Sequence, residues 1–313
     1  GAVPHAAAAR ALLARERVDA ILLDIEMPGV DGLTALPDLL SAAQGARVIV
    51  VSSACAEGAA CTVQALALGA ADTLVKPQPG ISHARFSAAL VEKLSRLTAL
   101  DEPAATPDDG RASVLPLTGP RRYDLIAIGA STGGIHALGQ LVRAVPPGLT
   151  TPILVTQHLP ASFMPFFAAQ VATLARRPCD VATDRLRLRP SRIVLAPGDA
   201  HVRCVALGEG GIAVRLVDDP APSGCMPSVD VMFDSVAAVC GPRALAVVLS
   251  GMGRDGLIGA RAIVDAGGDL VVQDRDSSVV WGMPGAVAGA GLCHAVLPPD
   301  RIGELIASRR SPR

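Results

Sequence analysis

Residues 129–134 read GASTGG and follow the apolar run Leu125-Ile126-Ala127-Ile128. Gly129-x-Ser131-x-Gly133 is the spacing of a nucleophile elbow, in which a serine sits on a sharp strand-to-helix turn. The glycines allow the tight path, and the first amides of the following helix are free to meet an anion. The same turn could instead cradle a phosphate, or simply cap a helix. The phosphate reading is weakened because GxSxxG lacks the middle glycine of GxGxxG. Nor does an acidic residue end a strand about 20 residues later.

A serine becomes a nucleophile only with a base beside it and an acid to orient that base. The sequence holds six histidines. His158 is the best placed, because it ends the run ILVTQ, one helix after the serine unit, on what should be a neighbouring strand. His201 follows LAPGDA, where a surface or supporting role is expected. His5 and His83 lie in the first segment, His136 in the helix after the turn, and His294 near the C-terminus. The acid candidate is Asp255 in SGMGRDG, after Ala246-Val247-Val248-Leu249. A Gly-rich loop there lets a carboxylate reach over the sheet edge, although Asp255 could merely cap the helix that starts near Gly256. Asp199, Asp230 and Asp274 are weaker alternatives. The order Ser…His…Asp differs from the Ser…Asp…His of α/β-hydrolases, so a different fold should carry the same constellation.

A second constellation lies nearer the N-terminus. Asp24 ends the run Ala20-Ile21-Leu22-Leu23, Ser52 ends the next, and Lys76-Pro77 the one after. A carboxylate, a hydroxyl and an ammonium at three successive strand ends can converge on one phosphoryl group. Each residue alone has a bland reading as a turn or loop opener; together, with MPGVDG between them, they favour phosphate chemistry.

The elements that must position these groups alternate. Apolar runs at 18–24, 47–53 and 71–77 are separated by helical stretches, including 6–16. The pattern repeats with runs at 123–130, 152–158, 192–198, 212–217, 244–250 and 269–274, and helices at 134–145, 162–176, 229–239, 256–266 and 300–309. Strands apolar on both faces and alternating with helices imply α/β architecture with doubly wound parallel sheets. GEGG (208–211) signals a hairpin, so some antiparallel strand is expected at 192–217. Residues 97–122 mix Pro, Asp, Gly, Thr and Arg without apolar periodicity and read as a linker. The expected domains are therefore 1–96 and 123–313.

Composition agrees. A chain of 313 residues suggests about two domains. Half of it is hydrophobic and 18% is charged, which suits packed cores rather than disorder. The net charge is -1 and aromatics make up 2%. That balance argues against nucleic-acid binding, which needs a basic face and stacking platforms. No apolar run is long enough for a membrane span. The seven cysteines include no CxxC, so neither a zinc site nor a disulfide framework is expected, and a reducing cytoplasm fits.

GASTGG, TQHLP, LAPGD-x-H, PSVDVMFDSVA, LSGMGRDG and WGMPGAV occur in that order within residues 123–290. Together they resemble the catalytic domain of chemotaxis protein-glutamate methylesterases. LLDIEMPGVDG, VIVVSS and LVKP resemble the receiver domain of response regulators. The receiver–linker–catalytic layout is also that of the esterase family, and the resemblance covers nearly the whole sequence. It implies a flavodoxin-like receiver followed by a larger Rossmann-like esterase domain. Ser131 would be the nucleophile, His158 the base and Asp255 the orienting acid, with the backbone amides of Thr132 and Met252 as oxyanion donors. Asp24 would be the phosphoacceptor, with Ser52 and Lys76 responding to the phosphate. The implied substrates are methylated glutamates, and selected glutamines, of chemoreceptors; the phosphodonor is a histidine kinase. The esterase chemistry needs no cofactor. Receiver phosphorylation in this family uses Mg²⁺ held by an acidic pair after a first strand. The sequence starts at Gly1 without that pair, so a receiver lacking its front is expected.

Overall fold

The computed structural model describes residues 1–27, 29–52, 56–77, 83–98, 122–208 and 210–309. The chain divides into two compact units, Gly1–Thr106 and Pro107–Arg313. Most of the linker read at 97–122 therefore lies outside the described residues, as do Ser53 and Glu209.

The first unit runs α1 (Ala6–Leu13), β1 (Ala20–Asp24), α2 (Gly32–Ala42), β2 (Arg47–Ser52), α3 (Ala56–Leu68), β3 (Asp72–Val75) and α4 (His83–Thr98). Its three described strands are parallel, in the order β1-β2-β3. Val48, Ile49 and Val50 of β2 are buried, and Leu36 and Leu39 of α2 are buried in the same unit. The MPGVDG turn ends in a helix start because Asp31 caps α2, accepting a hydrogen bond from the Thr34 amide at 2.8 Å. The register sets Asp24 opposite Val51 and Ser52 opposite Val75, so the carboxyl ends of the strands fall level.

The second unit contains β4 (Leu125–Ala130), α5 (Gly134–Ala144), β5 (Ile153–Gln157), α6 (Met164–Ala175), β6 (Cys179–Val181) and β7 (Ile193–Leu195). It continues with β8 (His201–Ala206), β9 (Ile212–Val217), α7 (Val229–Cys240), β10 (Ala244–Val248), α8 (Leu257–Asp265), β11 (Asp269–Gln273), α9 (Met283–Gly289), β12 (Ala295–Leu297) and α10 (Pro299–Ser308). Seven of these strands form a parallel sheet in the order β12-β11-β10-β4-β5-β7-β6. Every residue of β4, β5, β10 and β11 is buried. Helices cover both faces, which is why these strands read as unbroken apolar runs. Side-chain alternation sends Leu125, Ala127, Ala246 and Val248 into a core with Val229, Met232 and Phe233 of α7. Ile126, Ile128, Leu245 and Val247 take the other face and are equally buried.

The chain leaves β4 for β5 on one side and later returns to β10 on the other. β4 and β10 therefore flank the point where the winding direction reverses, and side chains at their carboxyl ends meet in the crevice above it. The expected antiparallel element is present as the β8–β9 hairpin, with His201 opposite Val217 and Ala206 opposite Ile212. Sequence reading passes over β6, β12 and α9. β6 and β12 have three residues each, too few to show a period. α9 reads MPGAVAG, whose glycines and proline conceal a helix.

Candidate active site

The serine turn is built as its glycines suggest. β4 ends at Ala130 and α5 starts at Gly134, with Gly133 at φ 76° between them. That left-handed backbone favours glycine, which has no Cβ to clash there. Three neighbours fix the turn. The Ser131 amide donates to the Ser250 carbonyl (3.0 Å), the Gly134 amide donates to the Ser131 carbonyl (2.9 Å), and Gln157 Nε2 donates to the same carbonyl (2.8 Å). Ser250 Oγ adds a bond to the Thr132 carbonyl at 2.8 Å. At Gly251 a Cβ would stand 2.9 Å from Ser131 Cβ and 2.3 Å from Met283 Sδ. Only glycine lets the β10 loop come this close to the serine.

His158 arrives from β5. Its amide donates to the Ala130 carbonyl at 3.0 Å, which ties the two strand ends together just before Ser131. Its ring Nε2 lies 2.8 Å from Asp255 Oδ2. An ionised carboxylate only accepts, so the proton sits on Nε2 and the basic lone pair on Nδ1. Among the described residues Ser131 Oγ makes no hydrogen bond, as is common in sites that tighten when substrate binds.

Asp255 does not cap α8, whose N-cap is Gly256 with no side-chain bond. Its carboxylate instead sits over the start of α7. It accepts from Ser228 Oγ (2.8 Å), the Val229 amide (2.7 Å) and the Asp230 amide (3.2 Å), besides His158. The side chain is 2% exposed. Burial pushes its pKa up, but the bonds from His158, Val229 and Ser228 outweigh that and hold the carboxyl below the ordinary range. A buried carboxylate with this many donors remains charged and fixed behind the imidazole.

Three residues support this pair: His201, expected in a surface or supporting role, Asp230, a weaker acid candidate, and Ser228, which the sequence reading did not single out. His201 is fully buried rather than on the surface. Its Nδ1 accepts from the Ser228 amide (2.9 Å) and its Nε2 donates to the Asp219 carbonyl (2.9 Å). It thereby holds the segment that holds Asp255. Ser228 is the N-cap of α7, but its hydroxyl makes no cap bond and serves Asp255 instead. Ser preceding Val-Asp at a helix start was the available signal.

Asp230 is the third. It is buried beside Asp255 and accepts from the Gly259 amide at 2.8 Å. Desolvation first, then the neighbouring Asp255 charge, pushes its pKa up to about 6. An acid whose folded pKa is raised takes up a proton on folding. Its ionisation therefore costs stability above about pH 6, and that cost fades as the pH falls toward about 4. Asp230→Asn keeps the Gly259 bond and mimics the protonated form. It is expected to stabilise the chain at pH 7.5 by up to about 3 kcal/mol, with the gain shrinking toward zero at pH 4.5. Urea denaturation at both pH values checks this; a gain that does not change with pH, or a loss at pH 7.5, contradicts it.

Other candidates have partners of their own. His5 caps α1 through Nδ1. His136 Nε2 pairs with Gln140. His294 Nδ1 accepts from the Leu270 amide and its Nε2 lies 3.7 Å from Asp269. Asp274 holds the Ser277 hydroxyl. Of the two backbone amides read as oxyanion donors, Thr132 follows the serine in its own turn, and Met252 follows Gly251, which packs against Ser131. Neither donates a hydrogen bond among the described residues.

In the first unit the structure brings Asp24 and Lys76 together. Lys76 Nζ lies 2.8 Å from Asp24 Oδ1 and 2.8 Å from Glu26 Oε2. Hydrogen bonds to these two carboxylates raise the lysine pKa. The structure does not add Ser52 to the group. Ser52 is buried and its hydroxyl lies 2.9 Å from Thr62 Oγ1 on α3, because strand alternation turns it toward that helix. Only its carbonyl reaches the lysine, accepting from the Lys76 amide at 2.8 Å.

Residues 126–306 match the family described as CheB methylesterase, and residues 1–83 match the response regulator receiver domain. A protein-glutamate methylesterase/protein-glutamine glutaminase of Caulobacter vibrioides is 41% identical over 305 residues, spanning 95% of this chain and 87% of that protein. A protein of the same name from Azospirillum brasilense is 40% identical over 322 residues, spanning 94% of this chain and 81% of its own. The crystal structure of the Thermotoga maritima CheB methylesterase catalytic domain is similar, with a TM-score of 0.58 and 31% identity. It covers 59% of this chain and 98% of its own.

Proposed function

The chain belongs to the CheB methylesterase family, and on that premise we propose that it hydrolyses γ-methyl esters of glutamate side chains on chemoreceptors. Ser131 is the nucleophile, His158 the general base and Asp255 the orienting acid. The observation that carries this reading is the Asp255–His158 hydrogen bond of 2.8 Å, on a strand end tied to the serine strand by the His158 amide.

Ser131 Oγ attacks the ester carbonyl carbon while His158 Nδ1 takes its proton. The oxyanion that forms meets the free amides of Thr132 and Met252; one such donor is worth about 2.7–4 kcal/mol. Collapse of the intermediate transfers the proton from His158 to the departing methoxy group, and methanol leaves. Water then attacks the acyl-enzyme by the same relay and glutamate is released. With a glutamine substrate the leaving group is ammonia and every other step is unchanged. Asp255 stays ionised throughout and stabilises the imidazolium. No step draws on a cofactor.

Asp24 is proposed as the phosphoacceptor of the receiver domain, with Lys76 as its counter-charge and a histidine kinase as donor. The family's Mg²⁺ would need several hard oxygen ligands in near-octahedral array. At this strand end Asp24 and Glu26 both hold Lys76. Among the described residues no third metal-binding side chain joins them. These residues alone do not fit the ion. No described helix is long and apolar enough to cross a membrane, and the cysteines described as free suit a reducing cytoplasm.

A fluorophosphonate, which phosphonylates activated serines with loss of fluoride, tests the assignment directly. Peptide mass spectrometry is expected to find the adduct on Ser131 of the folded chain. An adduct on another serine, or none, rejects it.

A further inference from the structure

His158, Asp255 and Cys225 each present a metal-ligating atom, and these atoms all lie within 4.8 Å of one another. Two of the three are the proposed base and acid of the esterase. Cys225 takes no part in that chemistry. It is half-buried in the loop between β9 and α7, with a free thiol whose only described bond is a weak one to the Ser223 carbonyl at 3.8 Å. From this juxtaposition we propose that the esterase centre is also a binding site for a thiophilic divalent cation, Zn²⁺ or its like, and that occupancy switches the enzyme off.

The donor set selects the metal. One thiolate, one imidazole and one carboxylate form a mixed S/N/O set, which favours zinc over the all-oxygen cations Mg²⁺ and Ca²⁺. Tetrahedral zinc with its usual bond lengths places such atoms about 3.3–3.6 Å apart. The His158–Asp255 pair, at 2.8 Å, opens slightly to reach that spacing. The Cys225 sulfur, within 4.8 Å of both atoms, closes by at most about 1–1.5 Å to reach the same spacing. The cysteine lies in irregular backbone that follows Gly224 at φ 68°, so the adjustment falls on a loop rather than on the sheet. Outer partners are in place too. Ser228 Oγ and the Asp230 amide hold Asp255 Oδ1, the kind of support that orients a metal ligand.

Burial and the nearby Asp255 charge raise the Cys225 pKa, so without metal the thiol keeps its proton. Metal binding releases that proton to solvent as the sulfur–metal bond forms. A neutral imidazole has one basic lone pair. Whichever ring nitrogen the metal takes, the other must carry the hydrogen, and His158 can no longer accept the Ser131 proton. This consequence rests on His158 being the base; the site itself does not.

The full chain is titrated with Co²⁺ as a spectroscopic stand-in for Zn²⁺, and methanol release is measured with Zn²⁺, Mg²⁺ or EDTA. A thiolate-to-cobalt charge-transfer band is expected from the parent chain and not from Cys225→Ser or Cys225→Ala. Zinc should suppress methanol release, EDTA should restore it, and Mg²⁺ should have no effect. Both variants should turn over like the parent, and their half-inhibiting zinc concentration should rise at least about tenfold, since even an outer partner is worth 10–100-fold. A parent chain without the Cys225-dependent band overturns the site and leaves the esterase assignment standing. Zinc inhibition that is equal in both variants and the parent, or methanol release that rises with zinc, overturns the switch.

Discussion

Ser131→Ala is expected to lower kcat for methanol release from methylated receptor by about 10⁴–10⁶-fold. KM should change little, because the hydroxyl makes no hydrogen bond among the described residues and contributes only once it attacks. His158→Ala should fall to a similar level. The double variant should be no worse than either single one, since a nucleophile without its base, or a base without its nucleophile, has already lost the relay. Circular dichroism should be unchanged for Ser131→Ala, as the turn is held by the Ser131 amide donating to the Ser250 carbonyl and by the Gln157 side chain donating to the Ser131 carbonyl rather than by the hydroxyl. The residual rate should come from substrate binding and from oxyanion stabilisation, which the proposal assigns to the amides of Thr132 and Met252. A Ser131→Ala enzyme that releases methanol within about tenfold of the parent sinks the nucleophile assignment.

The proposed catalytic residues stand out in the sequence because Ser131 and His158 directly follow apolar strand runs, while Asp255 lies in the glycine-rich loop after β10. In a parallel sheet such positions project from one edge, and glycine-rich text next to two of them marks where the backbone must come close. Gly133, at φ 76°, and Gly251, pressed against Ser131, are the structural counterparts of GASTGG and LSGMGRDG. The winding order β10-β4-β5 then follows from the rule that crossovers reverse direction at the ligand crevice.

What surrounds those residues was not legible, since it depends on contacts that no local pattern encodes. Ser228, Asp230 and Cys225 belong to one short stretch, which reaches the site only because α7 docks on β4 and β10. His201 looks like a strand residue near the surface until the β8–β9 hairpin closes over it. Ser52 shows the limit from the other side. Its position at a strand end was read correctly, but a one-residue alternation decides which face the hydroxyl takes, and here that face belongs to Thr62. Strands of three residues, such as β6 and β12, carry too little pattern to be seen at all.

Asp255→Asn is expected to lower kcat by about 10⁴-fold and to destabilise the fold by about 1–3 kcal/mol. The two losses have one origin. The carboxylate receives four hydrogen bonds, two at each oxygen. An amide offers only one oxygen, so its nitrogen must face donors. If the nitrogen takes the Oδ2 position, it opposes the Val229 amide and forces His158 to accept at Nε2. The imidazole proton then moves to Nδ1, the side that must be bare to accept from Ser131. If the nitrogen takes the Oδ1 position, it opposes the Asp230 amide; the tautomer survives, but no charge remains to stabilise the imidazolium. Activity falls in both orientations, and one backbone amide at the start of α7 loses its acceptor. The stability loss has its own pH signature. The folded pKa of Asp255 is depressed, so its contribution is present above the unfolded value near about pH 4 and disappears as the pH falls below it. The gap between parent and variant in urea unfolding should therefore be full at pH 7 and narrow below about pH 4. This is the reverse of Asp230→Asn, whose gain is largest at neutral pH and already fading by pH 4.5. Asp255→Asn with a rate within about tenfold of the parent would remove Asp255 from the relay; a stability gap that persists unchanged into acid would show that its buried carboxylate is not what the α7 amides require.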